Sequence, residues 1–195
     1  MPGPLTPPRI LRGIPDELQG AVAALYWRHF GAQISPLPAR ARQGVALIRT
    51  AMRPGQALVA LSPAGRLVGV AGLRDANGGF LSPDAGGFVA AWGPFGGRLR
   101  HLTTALYLGG GETTDLVLDG VAVRPEWRRR GIARALVKAA AAHAREFGYP
   151  ALRAEVHARN HAALAAWQAM GFRHLGRERL GWPWSAPAHV LRMAV

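Results

Sequence analysis

The chain has 195 residues, 49% of them hydrophobic, which suits one domain over 1–195 with a buried core and argues against disorder. It has no cysteine, which excludes disulfides, thiolate metal sites and cysteine nucleophiles; no metal is expected. The net charge is +13, yet 23 of 24 basic residues are arginine beside Lys138, in a chain rich in Ala, Gly and Pro. That reads as a GC-rich coding bias and a solvated basic surface rather than a nucleic-acid footprint.

The opening MPGPLTPPRILRG lacks an apolar h-region, and no run of 18 apolar residues follows. Neither a secretory signal nor a membrane span is expected, and the cytoplasm is the expected compartment. Residues 1–8 read as a proline-rich lead-in and Arg9 to Arg12 as a short strand. Ile14-Pro15-Asp16-Glu17 starts a helix with acids in its first turn. Apolar spacing carries it through Leu18, Val22, Leu25 and Tyr26 to about Phe30, with Gly31 as the expected stop. A second helix fits Ala39 to Met52, ended by Pro54-Gly55. Ala57 to Leu61 and Leu67 to Leu73 read as strands joined by the hairpin turn Ser62-Pro63-Ala64-Gly65.

Residues 75–87 read as loop. Phe88 to Leu108 is apolar at spacings near three and four, predicting one or two helices broken near Gly93-Pro94 or Gly96-Gly97. Leu116 to Val123 is a strong strand, apolar on both faces. Its bulkiest pairs, Leu116/Leu118 and Val121/Val123, are out of phase by one residue, so a bulge is expected near Gly120. After Pro125 a short loop leads to Gly131 and a helix with the stripe Ile132, Leu136, Ala140, His143 and Phe147, stopped by Gly148. Leu152 to His157 is a strand. Asn160 is the expected N-cap of a helix over Ala162 to Met170 with Gly171 behind it. Phe172 to Leu180 and His189 to Ala194 read as two last strands.

The chemistry concentrates where a strand feeds a basic, glycine-containing loop and the loop feeds a helix. A helix start leaves N–H groups without partners and carries partial positive charge, and phosphate answers both. Gly131 lets a ligand approach the backbone. The loop is neither the nucleotide P-loop nor the dinucleotide glycine pattern, so it points to another phosphate-bearing ligand.

Arg128-Arg129-Arg130-Gly131-Ile132-Ala133 resembles the pyrophosphate loop of the GNAT superfamily of N-acetyltransferases, and LDGVAVRPEWR before it resembles that family's strand and Val-x-Pro turn. Val156 to Phe172, VHARNHAALAAWQAMGF, resembles its second signature, an Asn-started helix ending in Gly-Phe. The two motifs cover 116–172 in the family's order. The resemblance implies a mixed α/β (α+β) fold: a central, mostly antiparallel twisted sheet of about six to seven strands flanked by helices, here with an extra helical insertion before the central strand. It implies acetyl-CoA as cosubstrate and direct transfer of the acetyl group to a primary amine.

By the same resemblance, the backbone of Val121, Ala122 and Val123 would meet the pantetheine arm. Amides from Arg129 to Ala133 would hold the pyrophosphate, Arg128, Arg129 or Arg134 would meet the 3′-phosphate, and Asn160 would sit beside the pantetheine or the sulfur. Asp119, where some members place a glutamate, is the candidate base, with Glu155 and His157 as alternatives; its other reading is an ion pair with an arginine or a cap on the bulge. Trp167 stands where many relatives have a tyrosine that protonates the departing thiolate, and indole cannot replace that acid. Tyr26, Tyr107 or water would have to substitute, or the chain binds acyl-CoA with little turnover. Tyr26-Trp27, the Phe88–Leu108 insertion and Trp182-Pro183-Trp184 fall where the family builds its acceptor site, pointing to a small apolar or aromatic amine; a protein or aminoacyl-RNA acceptor is the alternative. The insertion is also a candidate homodimer interface or lid.

Overall fold

The computed structural model describes residues 7–195, so positions 1–6 of the expected lead-in lie outside the described residues. The elements run β1 (Arg9–Arg12), α1 (Asp16–Ile34), α2 (Ala41–Ala51), β2 (Ala57–Leu61), β3 (Leu67–Asp75), β4 (Gly78–Gly79), α3 (Ala85–Thr103), β5 (Leu116–Val123), α4 (Ile132–Glu146), β6 (Ala151–His157), α5 (His161–Gln168), β7 (Arg173–Glu178) and β8 (Ala188–Ala194). They form one eight-stranded sheet, ordered β1-β2-β3-β5-β6-β8-β7, with the short β4 on β3. Only β5 and β6 run parallel, joined by α4 as a crossover, and every other pair is antiparallel.

Two apolar cores lie on the two faces of this sheet. Strand alternation sorts β2 between them: Leu58 and Ala60 join Ile132, Leu136 and Ala140 of α4, while Ala57, Val59 and Leu61 join Val22, Leu25 and Ile48 of α1 and α2. The buried stripe of α4 is Ile132, Leu136, Val137, Ala140, Ala141 and Ala144. It corrects the expected course through His143 to Phe147, whose ring is largely exposed. After Ala140 the buried row steps by four to Ala144 beside Val137 and Ala141, whereas a step of three to His143 leads round toward the exposed Phe147.

Gly31 does not stop α1, which runs to Ile34 with Ser35 as its C-cap. Gly31 is a packing residue: a Cβ there would lie 2.9 Å from the Trp27 ring, and Gly44 of α2 meets the same ring from the other side. The indole thus fills a seam that two glycines leave open. Residues 75–87 are not wholly loop, because Gly78 and Gly79 pair with Asp75 and Arg74, and Asp84 caps α3 by accepting the Gly87 N–H at 2.7 Å. The insertion is helical as expected and breaks at Gly93, whose φ of 77° precedes Pro94.

Candidate active site

The bulge in β5 organises the site. Ala71 of β3 faces Val121 and Leu73 faces Leu118, so two steps on β3 match three on β5. The extra residue falls at Asp119-Gly120, and Gly120 takes φ 112°. The slip is what lets Leu116, Leu118, Val121 and Val123 all pack toward the α4 core. It also turns β5 away from β6. Their ladder covers Leu116–Leu152, Val117–Arg153 and Leu118–Ala154, after which β6 pairs only with β8. The edge of β5 from Val121 to Val123 therefore opens on a wedge beside β6.

At the outer end of this edge the chain turns through a 3₁₀ turn, Pro125–Trp127, into the basic loop. Arg129 and Gly131 both have positive φ, 56° and 76°. Past Arg128, whose N–H reaches the Pro125 carbonyl at 3.2 Å, the next N–H to find a backbone acceptor is that of Ala135, on the Gly131 carbonyl at 2.9 Å. Gly131 carries no capping side chain, and a Cβ placed on it would meet nothing within 4 Å. Free amides at an open, positively charged helix end suit a pyrophosphate. The arginines divide the work: Arg128 folds back with Nε 3.4 Å from the Val123 carbonyl, Arg130 lies 5.0 Å over the Trp127 ring, and Arg129 and Arg134 are exposed. Arg134 also lines a groove of about 450 Å³ with Lys138, between α4 and the Ala169-Met170 turn that follows α5.

Asp119 sits at the apex of the wedge, half-buried. Burial raises its carboxyl to about 6, the Arg74 guanidinium pulls it back, and Glu155 pushes it up. Arg74 of β3 stands between the two carboxylates, 3.8 Å from Asp119 and 3.4 Å from Glu155. Glu155 continues to Arg153 at 3.3 Å, and Arg153 to Glu178 at 2.7 Å. Asp119 is thus loosely paired with Arg74, while burial raises its proton affinity. The sequence signal for Arg74 is the charged pair Arg74-Asp75 that ends the seven-residue apolar run of β3.

The hydroxyl candidates separate. Tyr26 is buried and donates to the Asp119 carbonyl, anchoring the bulge; burial holds its proton well above the ordinary phenol range. Tyr107 lies beyond α3, edge-on to Trp182 at 5.2 Å, its proton held by burial and by the nearby Asp119 and Glu155 charges. Leu108 and Gly181 exchange backbone hydrogen bonds at 2.8 Å, strapping this segment to the β7–β8 loop. Trp182 closes the loop onto α1 by donating to the Gln33 carbonyl at 2.9 Å. Phe30 reaches Gly120 from α1, where a Cβ would sit 3.1 Å from its ring. The wedge is therefore bordered by Phe30 and Tyr107, with the buried Trp182 ring backing Tyr107.

Asn160 caps α5, its side chain accepting the Ala163 N–H at 3.1 Å, which leaves its amide NH₂ free. Trp167 is half-buried, edge-on to Phe172 at 4.9 Å in the α4-side core. It acts there as a packing residue. His157 ends β6, with Nδ1 accepting from the Arg159 N–H at 3.3 Å. Among the described residues, no group of three or more His, Asp or Glu is arranged to hold a metal, and no helix is long and apolar enough to cross a membrane.

Among curated proteins, none matches the sequence. Solved structures resemble it at low identity. An N-acetyltransferase from Staphylococcus aureus Mu50 is 15% identical, with 95% of this chain covering all of that one at a TM-score of 0.68. A GCN5-related N-acetyltransferase from Kribbella flavida is 20% identical, covering 96% of this chain and 98% of that one at 0.60. Nourseothricin acetyltransferase is 23% identical over 71% of this chain and 64% of its own length, at 0.47. The family model for the acetyltransferase (GNAT) family matches residues 21–172, which run from α1 through the bulge and the amide-bearing loop to Phe172. The chain belongs to the acetyltransferase (GNAT) family and is by class an N-acetyltransferase.

Proposed function

We propose that this protein uses acetyl-CoA to acetylate the primary amine of a small molecule with apolar or aromatic character, with Asp119 as general base. The observation that carries the reading is the bulge at Asp119-Gly120. It frees one β5 edge, points that edge toward the unpartnered amides of α4, and sets a carboxyl with a raised proton affinity at the apex between them.

In this reading Val121 to Val123 offer backbone groups to the pantetheine arm, with the Val123 carbonyl already shared with Arg128. Amides of Arg129 to Ala133 bind the pyrophosphate. Arg134, with Lys138 one turn on, meets the 3′-phosphate, and the free amide of Asn160 turns toward the pantetheine. Bound acetyl-CoA supplies an activated acyl carbon. The residues supply alignment and proton handling. Asp119 accepts the proton that an ammonium acceptor must lose before its nitrogen can attack. Tyr107 is the hydroxyl suited to return a proton to the departing thiolate, because Tyr26 is committed to the Asp119 carbonyl and Trp167 to the core.

The acceptor class follows from the walls. The rings of Phe30 and Tyr107 favour an apolar body, and Asp119, Glu155 and Glu178 outnumber Arg74 and Arg153, favouring a cationic head. Calorimetry with CoA is the first test: micromolar binding that weakens at least tenfold in Arg129→Glu/Arg130→Glu supports the site, and absence of binding removes it. Thiol release with an arylalkylamine panel then tests transfer. Release only with peptides or charged transfer RNA would move the acceptor to a macromolecule. A second reading, an acyl-CoA sensor, draws on the packing of Trp167; binding with no turnover on either panel would favour it.

A further inference from the structure

Beyond the transfer site, the far half of α3 presents an apolar face that nothing described covers. After the break at Gly93, Phe95, Leu99 and Leu102 follow at steps of four and three, on one side of the helix, and Leu106 extends the row through a 3₁₀ turn. Phe95 is 88% exposed, Leu99 59% and Leu102 69%. The row continues through Tyr107, whose ring abuts Trp182, to Trp184, stacked on Trp182 at 5.9 Å and 67% exposed. Together these side chains offer on the order of 700 Å² of apolar surface, above the few hundred Å² usual on a monomer and near the ~800 Å² each partner gives to a standard interface.

The helix is held with this face outward. On its opposite side Arg100 donates to Ser35 Oγ and the Leu37 carbonyl, both at 3.1 Å, and to the Pro38 carbonyl at 2.6 Å. Its guanidinium also lies 4.8 Å over the Trp92 ring. Asp84 pins the helix start. With its back clamped to the α1–α2 connection, α3 is a fixed ridge and not a flap over the wedge. Steps of four and three are the seam of two packed helices, and a row of Phe and Leu knobs on a straight segment fits the holes of an identical segment run antiparallel. The row carries no acid, and Arg98 is the charge at its edge.

We propose that this ridge is a homodimer interface, occupied by α3 of a second copy about a two-fold axis near Leu99 and Leu102. The partner would then also cover Trp184, beside the acceptor wall. The surface stands on the fold alone, so its test is independent of the transfer reading. Sedimentation velocity on the full chain at micromolar concentrations should give a dimer mass. Phe95→Asp/Leu102→Asp should give a monomer with unchanged far-UV circular dichroism and unchanged CoA affinity. Because the chain has no cysteine, Leu99→Cys offers a second measurement should the aspartates unfold it. Under mild oxidation it should cross-link to its own copy, and Arg145→Cys on α4 should not. A monomer at every concentration, a dimer that survives both aspartates, or equal cross-linking at both cysteines overturns the proposal. A monomer that pellets with phosphatidylglycerol vesicles, and no longer does so in the Phe95→Asp form, overturns it in favour of a lipid surface.

Discussion

Asp119 illustrates how one residue carries opposing demands. Its folded-state carboxyl is raised to about 6 because burial disfavours the charge more than Arg74 restores it. A base must be unprotonated, so kcat/KM should rise with pH through about 6 and then level. Asp119→Asn should abolish that limb and lower kcat/KM about 10²- to 10⁴-fold, within the range of general base catalysis; an unchanged profile removes Asp119 as the base. Stability should run the other way. A raised carboxyl binds its proton more tightly in the folded state, so its contribution is present at low pH and lost as pH rises from about 4 through about 6. Asp119→Asn should therefore melt higher than the parent at pH 7.5, with the gap closing near pH 4, as thermal scans at both values would show. Arg74→Gln removes the cation that favours ionised Asp119 while Glu155 remains, so the limb of the pH–rate profile should move to higher pH, and Arg74→Lys should move it partly back.

At the scale of elements, the turn into α4 separates charge from shape. Arg129 holds φ 56°, a conformation that disfavours any residue with a Cβ. Arg129→Gly should relieve that conformation, leaving stability unchanged or raised by up to about 1 kcal/mol in urea unfolding. It should still weaken CoA binding several-fold by removing a cation near the phosphates, whereas Arg129→Glu should weaken it more than tenfold; equal affinities would show that the amides bind alone. The bulge responds differently. Gly120 has φ 112°, and a Cβ there would lie 2.7 Å from the Tyr26 hydroxyl. Gly120→Ala should destabilise by about 1–3 kcal/mol through backbone strain and loss of the Tyr26 anchor. It should depress kcat more than CoA affinity, because it moves Asp119 but leaves the α4 amides in place.

For the whole molecule, net charge matters through the field it creates. With +13 charges and an exposed basic loop, capture of a polyanionic cosubstrate should be salt-sensitive. KM for acetyl-CoA should climb severalfold between low and high NaCl while kcat holds, and steady-state kinetics across a salt series would check it. The crossover β5–α4–β6 sets the wedge at mid-sheet, where Phe30 of α1 reaches Gly120. Long-range contacts such as Trp182 to Gln33 tie the β7–β8 loop to α1 across distant segments.

By itself the sequence determined the local elements and the loop that leads into α4. Phase along β5 required a bulge because a strand's period is two. Gly131 after three arginines marked the helix start, and Asn160 marked a cap, since each depends on neighbours within a few residues. The same local logic takes Gly31 as a stop and carries the α4 stripe to Phe147, because a packed Trp27 can demand a glycine inside a helix and a buried row can continue through the small Ala144. Tertiary structure alone decided the surroundings of Asp119. Arg74, Tyr26 and Glu155 lie on three elements, and only sheet pairing and the α1 packing bring them to Asp119, where burial and charge set its proton affinity.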